Sequence, residues 1–361
     1  MVVDRMKICI FCTMLISGTL GTLTLKQLSR PVYNGQAFDH PYFFTGLNFL
    51  SECCCLVIHK ILFLAQTTQN EEISIKGKLL FSIPALFEAF SSVLMLIGLS
   101  LSTASIYQMM RGFIVIVTYT YSIIFFKAGI FKHQLFGLSQ ILLGLLIIGI
   151  SSLTSSSESS KNPGLGITLI VLSQFFSGGK YIIEQYLFKI YQIHPLKAVG
   201  LEGVSGLGLS IIILPILNTI PCTRSNICNN DYIENSLSAL SQIFNNFFLF
   251  AVIVCAMSII IIFSFSGISV TKIAGAVART TIDITRMVFV WLASILMGWE
   301  RFNWVQMIGF IILVFGTLVY NEIIVVKFFK DRDIGYLSKA DEEKQIIGNE
   351  EKLYFELQEN S

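Results

Sequence analysis

Stretches of about 20 mostly apolar residues recur along this chain, and a helix of roughly that length is what crosses a hydrocarbon core about 30 Å thick. Ten such windows stand near residues 6–28, 41–65, 79–101, 104–126, 134–152, 164–190, 196–217, 245–266, 268–293 and 303–327. Lipid offers backbone groups no water to bond, so a chain with repeated windows of this kind is committed to a bundle of spanning helices. Composition agrees. Of 361 residues 54% are hydrophobic and 13% charged, with a mean hydropathy of +0.71, whereas soluble domains carry about 25% charged residues. A soluble globular domain and a disordered chain are both excluded. What remains is short connectors, a loop from Asn218 to Phe244 and a polar tail from Phe328 onward. Any activity must therefore reside in the bundle.

Arg5 and Lys7 ahead of the first window resemble the start of a secretory signal peptide. No small-x-small cleavage site follows, and Lys26 interrupts the end of the window, so the segment is read as a retained span. With even-numbered spans running inward, Arg5, Lys7, Lys60, Lys76, Lys78, Lys127, Lys132, Lys189, Lys197 and the tail put most of the 25 basic residues on the side shared by both termini. Only Arg30, Lys161, Arg224 and Arg301 fall opposite. The bias of basic residues toward the cytosol places both termini there. A net charge of +2 gives no electrostatic ground for a nucleic-acid partner.

The chain echoes itself. His40-Pro41 with Gly46-Leu47 ahead of and within the second span returns as His194-Pro195 with Gly200-Leu201 in the seventh. Gln134, Gly137 and Gly144 of the fifth span return as Gln306, Gly309 and Gly316 of the tenth. These echoes predict an all-α integral membrane fold of ten transmembrane helices as two inverted five-helix repeats, residues 1–152 and 164–327, followed by a cytosolic tail over 328–361. An odd number of spans per half inverts the second half, a plan recurrent in secondary transporters that bind substrate near midplane.

Ionisable side chains at bilayer depth are expensive and face the bundle interior or a wet cavity. The acids there are Glu52, Glu88, Glu184, Glu202 and Asp283; the bases are Lys26, Arg111, Lys180, Lys272, Arg279 and Arg286. A mutually neutralising structural network is the plain reading of so balanced a set. Span nine is more pointed. Arg279, Asp283 and Arg286 recur at i, i+4 and i+7, on one helical face, and leave one cation to be met by Glu88, by Glu202 or by a substrate anion. Arginine stays charged and presents a bidentate fork to carboxylate or phosphate. Span four aligns Tyr107, Gln108 and Arg111, with an interfacial anchor as the alternative for Arg111. In span six Lys180 and Glu184 are spaced for an intrahelical pair, just after Gly178 and Gly179, which permit close helix approach. Glu88 and Glu202 are candidate proton carriers by their depth alone.

Cys222 and Cys228 lie in the long loop that the topology places on the oxidising, lumenal side, and are a candidate disulfide. Cys9 and Cys12 form a C-x-x-C inside an apolar span, outside the strand context of a redox motif. Cys53, Cys54 and Cys55 read as small apolar packing residues. Four dispersed histidines, no second metal-ligand cluster, no P-loop and no G-x-S-x-G elbow give no sign of an enzyme, a metal site or a cofactor.

The stretches Ser102 to Gly112, His194 to Gly203, Gly267 to Lys272 with Arg279, Asp283 and Arg286, and Gly298-Trp299-Glu300 resemble the drug/metabolite transporter superfamily. More narrowly they are similar to the member-six type of the F branch of solute carrier family 35, which stands with the nucleotide-sugar-transporter-like carriers. The resemblance spans all ten windows and implies two inverted repeats, a central cavity and alternating access. It leaves the substrate open. The tail differs in length and sequence from such relatives, although Glu342 with Ile346-Ile347 looks like their acidic dileucine sorting signal, and Tyr354 to Leu357 like a tyrosine signal. Those signals imply a lysosome-like or vacuolar membrane, and the nucleotide-sugar likeness a Golgi one.

The reading that follows is a secondary transporter of a small polar metabolite, with slight preference for an anionic one. Arg111, Arg279 and Arg286 would bind negative groups, Asp283 would orient the arginines, and Gln108 and Tyr107 would add hydrogen bonds. A proton-coupled exporter of cationic amines or peptides, like the chloroquine-resistance branch of the superfamily, would instead use Glu88, Glu202 and Asp283. A non-transporting membrane adaptor is the rival of another class. The expected partners are a small-molecule substrate and membrane lipid, with a homodimer open if Gly203, Gly206 and Gly208 pack between protomers rather than within one.

Overall fold

The computed structural model of the chain describes residues 2–28, 38, 40–63, 75–101, 110–127, 131–155, 163–191, 193–221, 233–299, 302–320 and 324. Its elements are helices α1 (Val2–Leu28), α2 (Pro41–Phe63), α3 (Ile75–Leu80), α4 (Ser82–Leu101), α5 (Ile114–Phe126), α6 (Lys132–Ser155), α7 (Pro163–Ile190), α8 (Pro195–Leu217), α9 (Ser236–Asn245), α10 (Phe247–Ala274), α11 (Ala276–Leu296) and α12 (Trp304–Tyr320). Seven of them are long and apolar enough to cross a membrane, and α5 and α12 are shorter apolar helices. The chain is a multi-pass membrane protein. Large apolar side chains such as Phe125, Ile150, Ile211, Ile212 and Ile311 stay exposed on the outside of the bundle. Lipid, unlike water, leaves such a surface unpenalised.

Most expected spans are present within a few residues of their bounds. One boundary is corrected. The sequence analysis broke spans eight and nine at Gly267, but the helix runs through that residue and ends at Ala274. Gly267 is there for space: a Cβ on it would stand 3.0 Å from the Arg279 guanidinium. The break falls at Gly275, whose φ of 87° lies in the left-handed region that glycine enters without steric cost. One residue thus joins α10 to α11. The long loop, too, is not all irregular, since α9 forms within it, capped by Asn235, whose side chain accepts from Ser238 N.

Both His-Pro echoes open helices, where proline's missing N–H costs nothing. His194 caps α8 by accepting from Leu196 N at 3.2 Å. Before α2 the equivalent role passes to Glu234, which accepts from Tyr42 N at 3.1 Å and Phe43 N at 3.2 Å and bonds His40 Nδ1 at 2.7 Å. Glu234 thereby ties the entry of α9 to the start of α2.

The most extensive packing is between α6 and α12, α4 and α7, α2 and α8, and α1 and α10; α1 also packs on α11, α5 on α7 and α11, α2 on α10, and α4 on α8. Small residues set these crossings. A Cβ on Gly144 would lie 2.7 Å from Gly309 O, and one on Gly316 2.7 Å from Gly137 O, so the echoed glycines meet each other backbone to backbone. Gly203 and Gly206 face Glu52, Cys53 and Phe49 of α2, so they pack within the fold, while Gly208 has open space. Gly178 and Gly179 accept Val117 and Phe87. One core cluster joins α5, α6, α11 and α12 around Ile141, Leu313 and Ile284; a second joins α2, α7 and α8 with Phe81 and Ile268 around Cys55 and Ala198. A third seats Ala239 and Ile243 of α9 on Leu28, Phe38, Leu249 and Ile253.

Candidate functional site

Between these clusters α2, α4, α7, α8, α10 and α11, with the turn ahead of α5, bring the buried charges together. Buried ions persist in an interior only when paired and hydrogen-bonded. Pairing decides each position here. Lys180 on α7 bonds Glu88 of α4, and it stands 3.5 Å from Glu184 one turn along and 3.7 Å from Glu202 of α8. Arg279 on α11 bonds Glu184 and donates to Thr271 Oγ1 at 3.2 Å. Its guanidinium also lies 4.0 Å from the centroid of the Tyr181 ring, a cation–π contact. Arg286 pairs with Asp283 at 3.1 Å, and Arg111, just ahead of α5, reaches the other oxygen of the same carboxylate at 3.5 Å.

The stripe on α11 is therefore buried on one face as expected, with Thr280 and Thr281 beside it. Its outside partner is neither Glu88 nor Glu202. Arg279 takes Glu184, because α7 presents that residue to α11, and Glu88 takes Lys180. The intrahelical Lys180–Glu184 contact exists, but as one of three carboxylates around a single ammonium. Glu52 of α2 joins from the side and accepts from Ser264 Oγ of α10 at 2.8 Å. The sequence analysis placed Glu52 at depth without giving it a role; nothing local in the chain marks its neighbours.

Access is uneven. Lys180, Glu184, Glu202, Arg279, Asp283 and Arg286 are almost wholly enclosed, whereas the side chains of Arg111 and Glu88 keep 21% and 26% of their surface. Those two are the least enclosed charges of the cluster. Lys26 and Lys272 stand apart from the cluster: Lys26 donates to Ser294 Oγ at 3.2 Å over the Trp299 ring, and Lys272 donates to Ile193 O at 2.7 Å. Tyr107, Gln108, Cys222, Cys228 and the tail with its sorting-like motifs lie outside the described residues. Cys9, Cys12, Cys53, Cys54 and Cys55 are free thiols, and no group of three or more His, Cys, Asp or Glu suited to a metal ion occurs among the described residues.

No protein-family model matches the chain. A solved structure described only as "Crystal structure of protein" superposes with a TM-score of 0.58 at 11% identity, over 88% of this chain and 98% of that one, which is a likeness of fold. Among curated proteins, Solute carrier family 35 member F6 of Pongo abelii and of Homo sapiens are each 30% identical over 322 residues, 85% of this chain and 86% of theirs. An uncharacterized protein of Schizosaccharomyces pombe is 29% identical over 319 residues, 86% of this chain and 96% of its own. Identity of 30% over 85% of the chain carries the conclusion: this chain belongs to solute carrier family 35, with the F-type carriers of that family.

Proposed function

We propose that the protein is a secondary transporter that moves a small polar metabolite across an endomembrane by alternating access, with ten spans in two inverted halves, residues 1–152 and 164–327, and both termini cytosolic. The observation that carries the reading is the charge cluster enclosed between helices of both halves. A purely structural bundle has no use for nine ionisable groups at its centre, given what each costs to bury. The helix pairing supports the inverted plan. Exchanging α1, α2, α4, α5 and α6 for α7, α8, α10, α11 and α12 turns the α4–α7 contact into α10–α1, α5–α7 into α11–α1 and α2–α10 into α8–α4, all of which occur, and returns α2–α8, α5–α11 and α6–α12 to themselves.

Arg111 and Arg286 share the single carboxylate of Asp283, and Arg111 is partly open. This favours a substrate with a negative group, a nucleotide sugar or an organic anion. A second reading rests on Glu88, the other open charge, which would receive a cationic amine or peptide.

Counterflow in proteoliposomes of the purified full chain separates these. Nucleotide sugars, organic acids, basic amines and short peptides are loaded as separate pools. Saturable exchange of an anionic class, abolished by Arg111→Ala and retained in Glu88→Gln, is expected. Exchange of amines or peptides that Glu88→Gln abolishes selects the second reading. No exchange of any class by folded, inserted protein overturns the carrier reading in favour of an adaptor.

A further inference from the structure

Among the described residues, four carboxyl groups, Glu52, Glu88, Glu184 and Glu202, meet two cations, Lys180 and Arg279, in the part of the cluster enclosed by α2, α4, α7, α8 and α11. Glu88 takes Lys180 and Glu184 takes Arg279. Two carboxyls are left over. Glu202 is 1% exposed and has only the distant edge of Lys180 at 3.7 Å; Glu52 is 3% exposed and has only the Ser264 hydroxyl at 2.8 Å. Glu52 Oε2, Glu202 Oε1 and Glu184 Oε1 are buried with no hydrogen-bond partner among the described residues. An ionised carboxylate only accepts, so two further anions here would repel their neighbours and leave Glu52 Oε2 and Glu202 Oε1 without a donor among the described residues.

We propose that Glu52 and Glu202 form a proton-binding site of the transport cycle and that each carries a proton in this conformation; the inference rests on the carrier reading above. Two protons equalise anions and cations, and each supplies a donor where the cluster has orphaned acceptors. The groups facing the pair are accounted for element by element: Cys55 on α2, Glu88 on α4, Lys180 and Glu184 on α7, Ser264 on α10, and Arg279 on α11. Neither Lys180 nor Arg279 is available to neutralise Glu52 or Glu202, since each already holds a closer carboxylate.

The location suits exchange with water. A Cβ on Gly203 would stand 2.4 Å from Cys53 N and 2.8 Å from Glu52 Cβ. The two acids therefore sit where α2 and α8, one helix from each half, touch through the smallest side chain. Rocking of one half against the other opens that crossing and wets both carboxyls together. Each then releases its proton to water as hydronium and rebinds one when the crossing closes.

The neutral carboxyl has its own infrared carbonyl band, resolved from carboxylate, and this can be read on the purified full chain in lipid vesicles without any substrate. In choline chloride at neutral pH the band is expected to be present, to fall by about half in Glu52→Gln and in Glu202→Gln, since each carries one proton-bearing carboxyl, and to vanish in the double variant. Glu88→Gln, which removes the carboxylate that holds Lys180 and leaves Glu202 to take its place, should lower the band as well. Thermal unfolding shows whether each variant is folded; if Glu52→Gln is not, Glu52→Asp should shift the band instead. A band that is absent, or that neither Glu52 nor Glu202 affects, overturns the proposal. So does a band that disappears when sodium replaces choline at constant pH, which would assign the oxygens to a metal cation. Where counterflow gives exchange, insensitivity to an imposed pH gradient with the band intact overturns the coupling role, whereas failure of exchange altogether strikes the carrier reading and leaves the protonation result standing.

Discussion

Arg279 shows how much of a buried charge is decided by its surroundings. Its guanidinium is bonded by Glu184 and Thr271, covered by Tyr181 and walled by Gly267. Removing one partner of a buried pair leaves the other uncompensated, at a cost of about 3–5 kcal/mol, while replacing both by apolar groups is far milder. Glu184→Gln should therefore lower the unfolding temperature in lipid or detergent sharply. The double variant Glu184→Met with Arg279→Met should recover most of that loss and still fail to exchange solute. The i, i+4, i+7 stripe on α11 was legible because periodicity is local. The identity of its partner was not, because Glu88, Glu184 and Glu202 are equally acidic in the sequence, and only the crossing of α7 on α11 selects among them. The same blindness hid the Ser264–Glu52 bond and the role of Glu234, whose partners lie far along the chain.

At the level of elements, glycine contacts fix which helices are neighbours. The α6–α12 crossing has no room for a methyl group at Gly144 or Gly316, whose added Cβ would press on backbone atoms. Overpacking of this kind costs about 1–3 kcal/mol, so Gly144→Ala should destabilise the protein measurably in a thermal melt. Gly208→Ala, with open space around it, should be neutral or slightly stabilising, since alanine is the better helix former by about 1 kcal/mol. Glu234→Gln tests a second junction. It keeps the shape but removes the charge that serves the N–H groups of Tyr42 and Phe43, and a lost helix cap costs about 1 kcal/mol; a small fall in melting temperature is expected, with cleavage by protease near α9 made faster. Spans were readable from apolar length alone. α9 was not, being ten residues with alternating serines, although Asn235 three residues before Ser238 is the kind of start signal that marks it. The α10–α11 boundary was misplaced because Gly267 and Gly275 are alike as letters, and packing beside Arg279 makes the first continue the helix.

For the whole molecule, the proposed topology, drawn from the bias of basic residues, puts both termini in the cytosol. Epitope tags on either end should become accessible to antibody once the plasma membrane alone is permeabilised, while a tag inserted between residues 222 and 232 should need the internal membranes opened as well. Detection of both kinds of tag under the first condition would reverse or discard that topology. The membrane-spanning helical class was legible because a membrane restricts the available folds, whereas the proposed division into two halves rests on short echoes such as Gly137 and Gly144 with Gly309 and Gly316, whose meeting in space no local pattern announces. The joint between α10 and α11 has a mechanical meaning beyond its geometry. Ala274 and Ala276 are separated by one residue, and Cα atoms one step apart are held at about 3.8 Å, so there is no slack between these helices. Gln185 of α7 grips the free end of α11 by accepting from Ala276 N at 2.9 Å. The start of α11 therefore cannot draw away from the end of α10, and a displacement of α10 carries with it the near end of the helix bearing Arg279, Asp283 and Arg286.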